Sequence, residues 1–97
     1  MTKYHVIALR WFDRKWGNTY HSVTIQDMQG KEIARNPFEY GYGDQWQQTT
    51  EKMLAAINPQ HARCCHKNGL PSEYWQEYCD RVGIVYSCHD VSRKRDL

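Results

Sequence analysis

The sequence predicts an α+β domain, a largely antiparallel four-stranded sheet in the order β-β-β-α-(α)-α-β with helices packed on one face. Three observations predict it. Between Lys3 and Asn36, runs rich in β-branched and aromatic residues are separated by Gly-bearing turns. From Gln45 the apolar period lengthens to that of a helix. A last β-branched run, IVYSCHDV, follows a segment that ends on Gly83. The 97 residues fit one domain, 1–97, with 92–97 a charged tail.

The first strand is KYHVIALRWF, Lys3 to Phe12. His5, Ile7, Leu9 and Trp11 alternate with Tyr4, Val6, Ala8, Arg10 and Phe12. Both sets are largely apolar, which suits a central strand with a neighbour on each edge, so the last strand is expected to return beside the first. DRKWGN turns the chain, since Gly and Asn tolerate positive φ. Thr19 to Gln26 sets His21, Val23 and Ile25 against Tyr20, Ser22 and Thr24, one face buried and one half-wet. DMQG is a second tight turn, and Lys31 to Asn36 is a polar edge strand ending before Pro37.

Phe38 to Gly43 (FEYGYG) reads as an aromatic-glycine connector, with Asp44 placed as an N-cap. Trp46, Thr50, Met53, Leu54 and Ile57 then form one stripe, so Gln45 to Ile57 is an amphipathic helix. A short helix is expected over Gln60 to Asn68. A further one, capped by Ser72 and stopped by Gly83, carries Tyr74, Trp75, Tyr78, Cys79 and Val82 on its apolar side.

Composition excludes several function classes. The chain is 40% hydrophobic, with mean hydropathy −0.88, and no run approaches the ~20 apolar residues of a membrane span. The net charge of +2 is too small for a duplex binder that neutralises many phosphates, and of the wrong sign for an acidic nucleic-acid mimic. Three strands followed by a helix also end a double-stranded-RNA-binding domain. That helix starts with lysines, whereas this one starts Asp44-Gln45-Trp46-Gln47-Gln48. The four cysteines could form two disulfides, but Val6 to Leu9 is too short for a secretion signal core, so a cytoplasmic chain with free thiols is expected.

Candidates for site chemistry are weak. His61, Cys64, Cys65, His66 and Cys88 are zinc-ligand types, with His89 adjacent, but they lack a Cys-x-x-Cys knuckle. No metal or other cofactor is expected. Cys88 and His89 cannot pair for nucleophilic catalysis, because consecutive strand residues point to opposite faces. Glu73 and Glu77 are one helical turn apart and read as solvated. Nucleotide-binding and hydrolase motifs are absent, and the glycines of FEYGYGD precede an aspartate that would repel an anion. No catalytic residue is assigned.

The aromatics carry more information. Four Trp and seven Tyr exceed what one small core can bury. Trp11, Phe12 and Trp16 cluster around the first hairpin beside Arg10, Arg14 and Lys15, and Tyr40 and Tyr42 flank the connector. Trp, Tyr and Arg dominate protein-recognition hot spots, so Trp11, Arg14, Trp16, Tyr40 and Tyr42 are the expected partner-binding surface, and pairing of exposed Trp residues in a homodimer stays open beside it. The alternative is a single-stranded nucleic-acid platform of the same rings with Arg10, Lys15, Arg93, Lys94 and Arg95. The bland reading of 92–97 is a solvated end.

Read together, LRWFDRKWGNTYHSV, FEYGYGDQWQQT and VSRKRDL resemble segments of small proteins from phages and mobile elements. That resemblance implies no activity and no site residues. It implies an accessory protein that works by binding a host protein, for instance an inhibitor of host defence or of a CRISPR system.

Overall fold

Turn chemistry sets the first hairpin. In the computed structural model, which describes residues 3–62 and 73–97, β1 (Tyr4–Asp13) and β2 (Asn18–Gln26) pair antiparallel from His5↔Gln26 to Asp13↔Asn18. The DRKWGN turn joins them, closed by the Gly17 N–H on the Asp13 carbonyl at 2.7 Å. β3 (Glu32–Tyr40) adds antiparallel to β2. It does not stop at Asn36. Pro37 is accommodated inside it because β3 is an edge strand, where a missing N–H costs no ladder bond, and the register shifts there between His21 and Val23. Phe38 to Tyr40 therefore belong to the sheet, not to the connector.

α1 (Gln45–Ile57) has the expected bounds and buries Trp46, Thr49, Thr50 and Leu54. A 3₁₀ turn (Pro59–His61) follows, held by the Asn58 side chain accepting the Gln60 N–H at 3.0 Å. The rest of the short helix expected to Asn68, and the Ser72 cap, lie outside the described residues. α2 (Trp75–Val82) has Tyr74 in the N-cap position, its N–H donated to Glu77 Oε1 at 2.9 Å. It stops at Gly83, whose φ of +88° is strained for any residue with a Cβ.

The last strand, β4 (Ile84–Val91), returns beside β1 as expected, giving the order β3-β2-β1-β4. It runs parallel to β1, from Tyr4↔Ile84 to Trp11↔Val91. The sheet is thus mixed, not largely antiparallel. The helical crossover is the reason: it carries the chain from the end where β3 finishes back to the end where β1 begins, and parallel neighbours require such a connection. The Lys3 and Tyr4 N–H groups both reach the Gly83 carbonyl, at 2.7 and 2.9 Å, and pin the entry to β4.

One face of the sheet carries the core. Val6, Ala8, Val23 and Ile25 meet Leu54 and Trp46 of α1 and Tyr78, Cys79 and Val82 of α2. Trp46 and Trp75 are absorbed here, edge-to-face at 5.4 Å and both against Tyr86. At the margin, Arg81 bridges Glu73 at 2.7 Å and the Ala62 carbonyl at 3.0 Å, and the Tyr78 hydroxyl donates to the His61 carbonyl at 2.6 Å.

His21 ties three elements together. Its buried ring bonds the Gly41 carbonyl through Nδ1 at 3.3 Å and Thr49 Oγ1 of α1 through Nε2 at 2.6 Å. A carbonyl only accepts, so Nδ1 carries the proton and the neutral ring accepts the Thr49 hydroxyl at Nε2. Burial holds the His21 pKa below its ordinary value, against the opposing pull of the Gly41 carbonyl and Glu39. His61, bonded to the Tyr4 hydroxyl at 3.0 Å, is shifted down as well, by burial and by Lys3 and Arg81.

Two predictions follow from this joint. A Cβ on Gly41 would lie 2.9 Å from Gln45 Cβ and 3.0 Å from His21 Cε1. Gly41→Ala should therefore cost about 1–3 kcal/mol in urea denaturation. Both histidines titrate below the ordinary 6.5 in the folded chain, so the unfolded chain binds protons first as pH falls. Stability should be full above about pH 7 and decline below 6.5, with a shallower acid slope in His21→Gln, read from melts across that range.

Candidate functional site

The sheet face away from the helices holds the odd-numbered residues of β1. Across it, at the end where β1, β3 and β4 finish, Tyr40, Tyr20, Trp11 and Val91 stand in one row. Trp11 stacks on Tyr20 with centroids 5.8 Å apart, and Tyr20 stacks on Phe38 at 4.6 Å. Tyr40 meets Tyr20 edge-on at 5.7 Å. Four rings from three strands thus make one continuous surface, with Phe38 and Tyr40 exposed and Trp11 and Tyr20 half-buried.

The structure brings Trp11 and Tyr40 of the expected surface together in this row. Trp16 and Tyr42 sit at the same end of the sheet, in the hairpin turn and the connector, 70% and 67% exposed. Arg14 is exposed in that turn, and the Lys15 ammonium lies 5.5 Å from the Trp16 ring centroid. Asp13 organises the tip by accepting the Lys15 N–H at 3.0 Å. Tyr20 and Phe38 were not among the expected residues. Tyr20 was legible, because the hairpin register that closes on DRKWGN places it opposite Trp11. Phe38 was hidden by the assumption that Pro37 ends the strand.

The basic residues of the nucleic-acid alternative divide. Arg10 lies on the helix face, paired with Asp90 at 2.8 Å and donating to the Gly43 carbonyl at 3.0 Å. With Phe12, Thr19 and Val91 they border an open cleft of about 300 Å³. Asp44 occupies the N-cap position of α1, but its side chain caps no N–H. The tail is solvent-exposed over Ser92 to Asp96 yet makes contacts of its own. It forms a 3₁₀ turn (Lys94–Asp96), sets the Lys94 ammonium 5.0 Å from the Phe38 ring centroid, and offers the Leu97 main-chain oxygen to Arg35 at 3.2 Å. It therefore crosses the open face from β4 towards β3, while Arg93 and Arg95 remain exposed.

The metal candidates do not assemble among the described residues, where no group of three or more His, Cys, Asp or Glu side chains gathers. Cys64, Cys65 and His66 lie outside them. Cys88 shares the helix face with Ala8 while His89 faces the open side with Leu9, so the two point apart as expected. Burial pushes the Cys88 thiol above its ordinary pKa, which is the opposite of an activated nucleophile.

Ring contacts separate structural from free aromatics. Tyr20→Ala removes three ring neighbours and should cost about 2–3 kcal/mol. Tyr42→Ala and Trp16→Ala should stay within about 0.5 kcal/mol of wild type, all measured by urea denaturation. No protein-family model, curated protein or solved structure matches this chain.

Proposed function

We propose that the chain is a non-catalytic binding module that captures a protein partner on the ringed end of its sheet. One observation carries this reading: the Trp11–Tyr20–Phe38–Tyr40 row is contiguous, exposed in part, and flanked at the same end by the exposed rings of Trp16 and Tyr42. Large rings on a rigid sheet give contact area at little cost in side-chain entropy. Arg14, Lys15, Arg93, Lys94 and Arg95 border the row with Asp13 and Asp96 among them, whereas Glu39 and Asp90 stand opposite His21 and Arg10 on the helix face. The resemblance to phage and mobile-element accessory proteins supports a host protein as the target, met in the cytoplasm of a bacterial host, and inhibition of a defence system as the outcome.

A second reading rests on a specific contact. Lys94 over Phe38 and Lys15 beside Trp16 pair a cation with an exposed ring, the combination that holds a stacked base and its phosphate.

Affinity capture from host extract, with nuclease and at two salt concentrations, tests both. The protein reading expects a partner that survives nuclease and is lost from Trp16→Ala/Tyr42→Ala while the circular dichroism spectrum is unchanged. Equal capture by that double variant contradicts it. The nucleic-acid reading expects oligonucleotide to quench tryptophan fluorescence at low salt and to dissociate steeply as salt rises.

A further inference from the structure

We propose that β4 is a docking edge for a second copy of this chain, paired antiparallel about a two-fold axis at Cys88 to give one continuous eight-stranded sheet. The two edges of the sheet differ in kind. β3 carries Pro37 within the strand and a register irregularity beside it, both of which block strand addition. β4 has no Pro, Gly or Lys and pairs with β1 without a break. Its outer side meets no other strand among the described residues. Val85 is 50% exposed there, and Tyr86 is exposed beside it. α2 stands back from this edge, leaving an open groove of about 440 Å³ between Gln76, Asp80 and the strand. An incoming strand has room.

The sequence of β4 selects both occupant and register. Two identical edges meet antiparallel only about an axis perpendicular to the sheet, which keeps both sets of helices on one side and pairs residues of equal parity. With the axis at Cys88, Val85 lies opposite Val91 of the second copy, Tyr86 opposite Asp90, Ser87 opposite His89, and Cys88 opposite its own counterpart. On the open face aliphatic meets aliphatic and hydroxyl meets imidazole, while on the helix face Tyr86 keeps its packing on Trp46 and Trp75 and Asp90 its pair with Arg10. An axis at Ser87 instead sets Ile84 against Asp90 and Val85 against His89. An axis at His89 sets Asp90 against Cys88 and the two imidazoles against each other. Of these three registers, only the one at Cys88 sets compatible side chains opposite each other on the open face, with Ile84 left facing Ser92 beyond the strand. The pairing does not depend on the ring row being a recognition surface, and it displays two such rows on one side of the assembly.

Sedimentation velocity on the full chain, from micromolar to near-millimolar concentration, is the test. Wild type is expected to form a dimer. Val85→Glu with Val91→Glu sets like charges opposite each other twice and should weaken association about tenfold or more. Val85→Lys with Val91→Glu sets opposite charges across the same axis and should restore the dimer. A chain that stays monomeric throughout overturns the proposal, as does a dimer that both double variants leave unchanged. If the Glu variant loses its circular dichroism spectrum, Cys88 carries the test. Opposed residues of an antiparallel pair have Cα separations of about 4.5–5.5 Å, within disulfide reach. In a Cys64→Ser/Cys65→Ser background, with Cys79 fully buried, diamide should take one hydrogen from each Cys88 thiol and leave a covalent dimer. That product should vanish in Cys88→Ser. Monomer alone after oxidation contradicts the pairing.

Discussion

The constraint on which the structure depends is that both helices are spent on one face of the sheet. Trp46 and Leu54 of α1 and Tyr78, Cys79 and Val82 of α2 all pack against the side that carries Val6, Ala8, Val23 and Ile25. A chain of 97 residues has no further helix among its described residues to lay on the other side. Among the described residues, the opposite face is held by cross-strand contacts and the six-residue tail. Rings solve that problem, since a flat aromatic shields a pleated surface while still facing water. The Trp11–Tyr20–Phe38–Tyr40 row is thus a stabilising device and an exposed recognition surface at once.

The buried His21 joins that surface to the core. It fixes the Gly41 carbonyl on one side and Thr49 on the other, so the connector bearing Tyr42 is anchored to the first turns of α1. The Tyr42 N–H adds a bond to Gln45 Oε1 at 3.0 Å. Arg10 reinforces the same corner by spanning Asp90 of β4 and the Gly43 carbonyl. A connector with three such attachments presents its ring with little freedom to lose on binding, which lowers the entropic cost of capture.

Much of this was legible in the sequence. The alternation of β1 on both faces announced a central strand, and β4 does lie beside it. The stripe from Trp46 to Ile57 predicts α1 to the residue, although Ile57 itself is exposed. The direction of β4 was not legible, since it depends on where the crossover releases the chain and not on any local pattern. Pro37 misled for a physical reason: its missing N–H ends a central strand but is free of cost on an edge. The tail is exposed as read, but its contacts, Lys94 on Phe38 and Leu97 on Arg35, lie 56 and 62 positions away in sequence and leave no periodic trace. At the site, Trp11 and Tyr40 were found from composition and Tyr20 from register, whereas the union of all four rings is a property of the assembled sheet.

The account stands on the open face presenting its rings to solvent while the helix face does not. Nuclear magnetic resonance with a soluble gadolinium chelate reads that directly, ring by ring. Strong relaxation is expected for the ring protons of Tyr40, Phe38, Tyr42 and Trp16, intermediate relaxation for Trp11 and Tyr20, and almost none for Trp46 and Tyr78. Protection of Tyr40 and Phe38 to the level of Tyr78 would contradict this, because the face opposite the helices would then be covered.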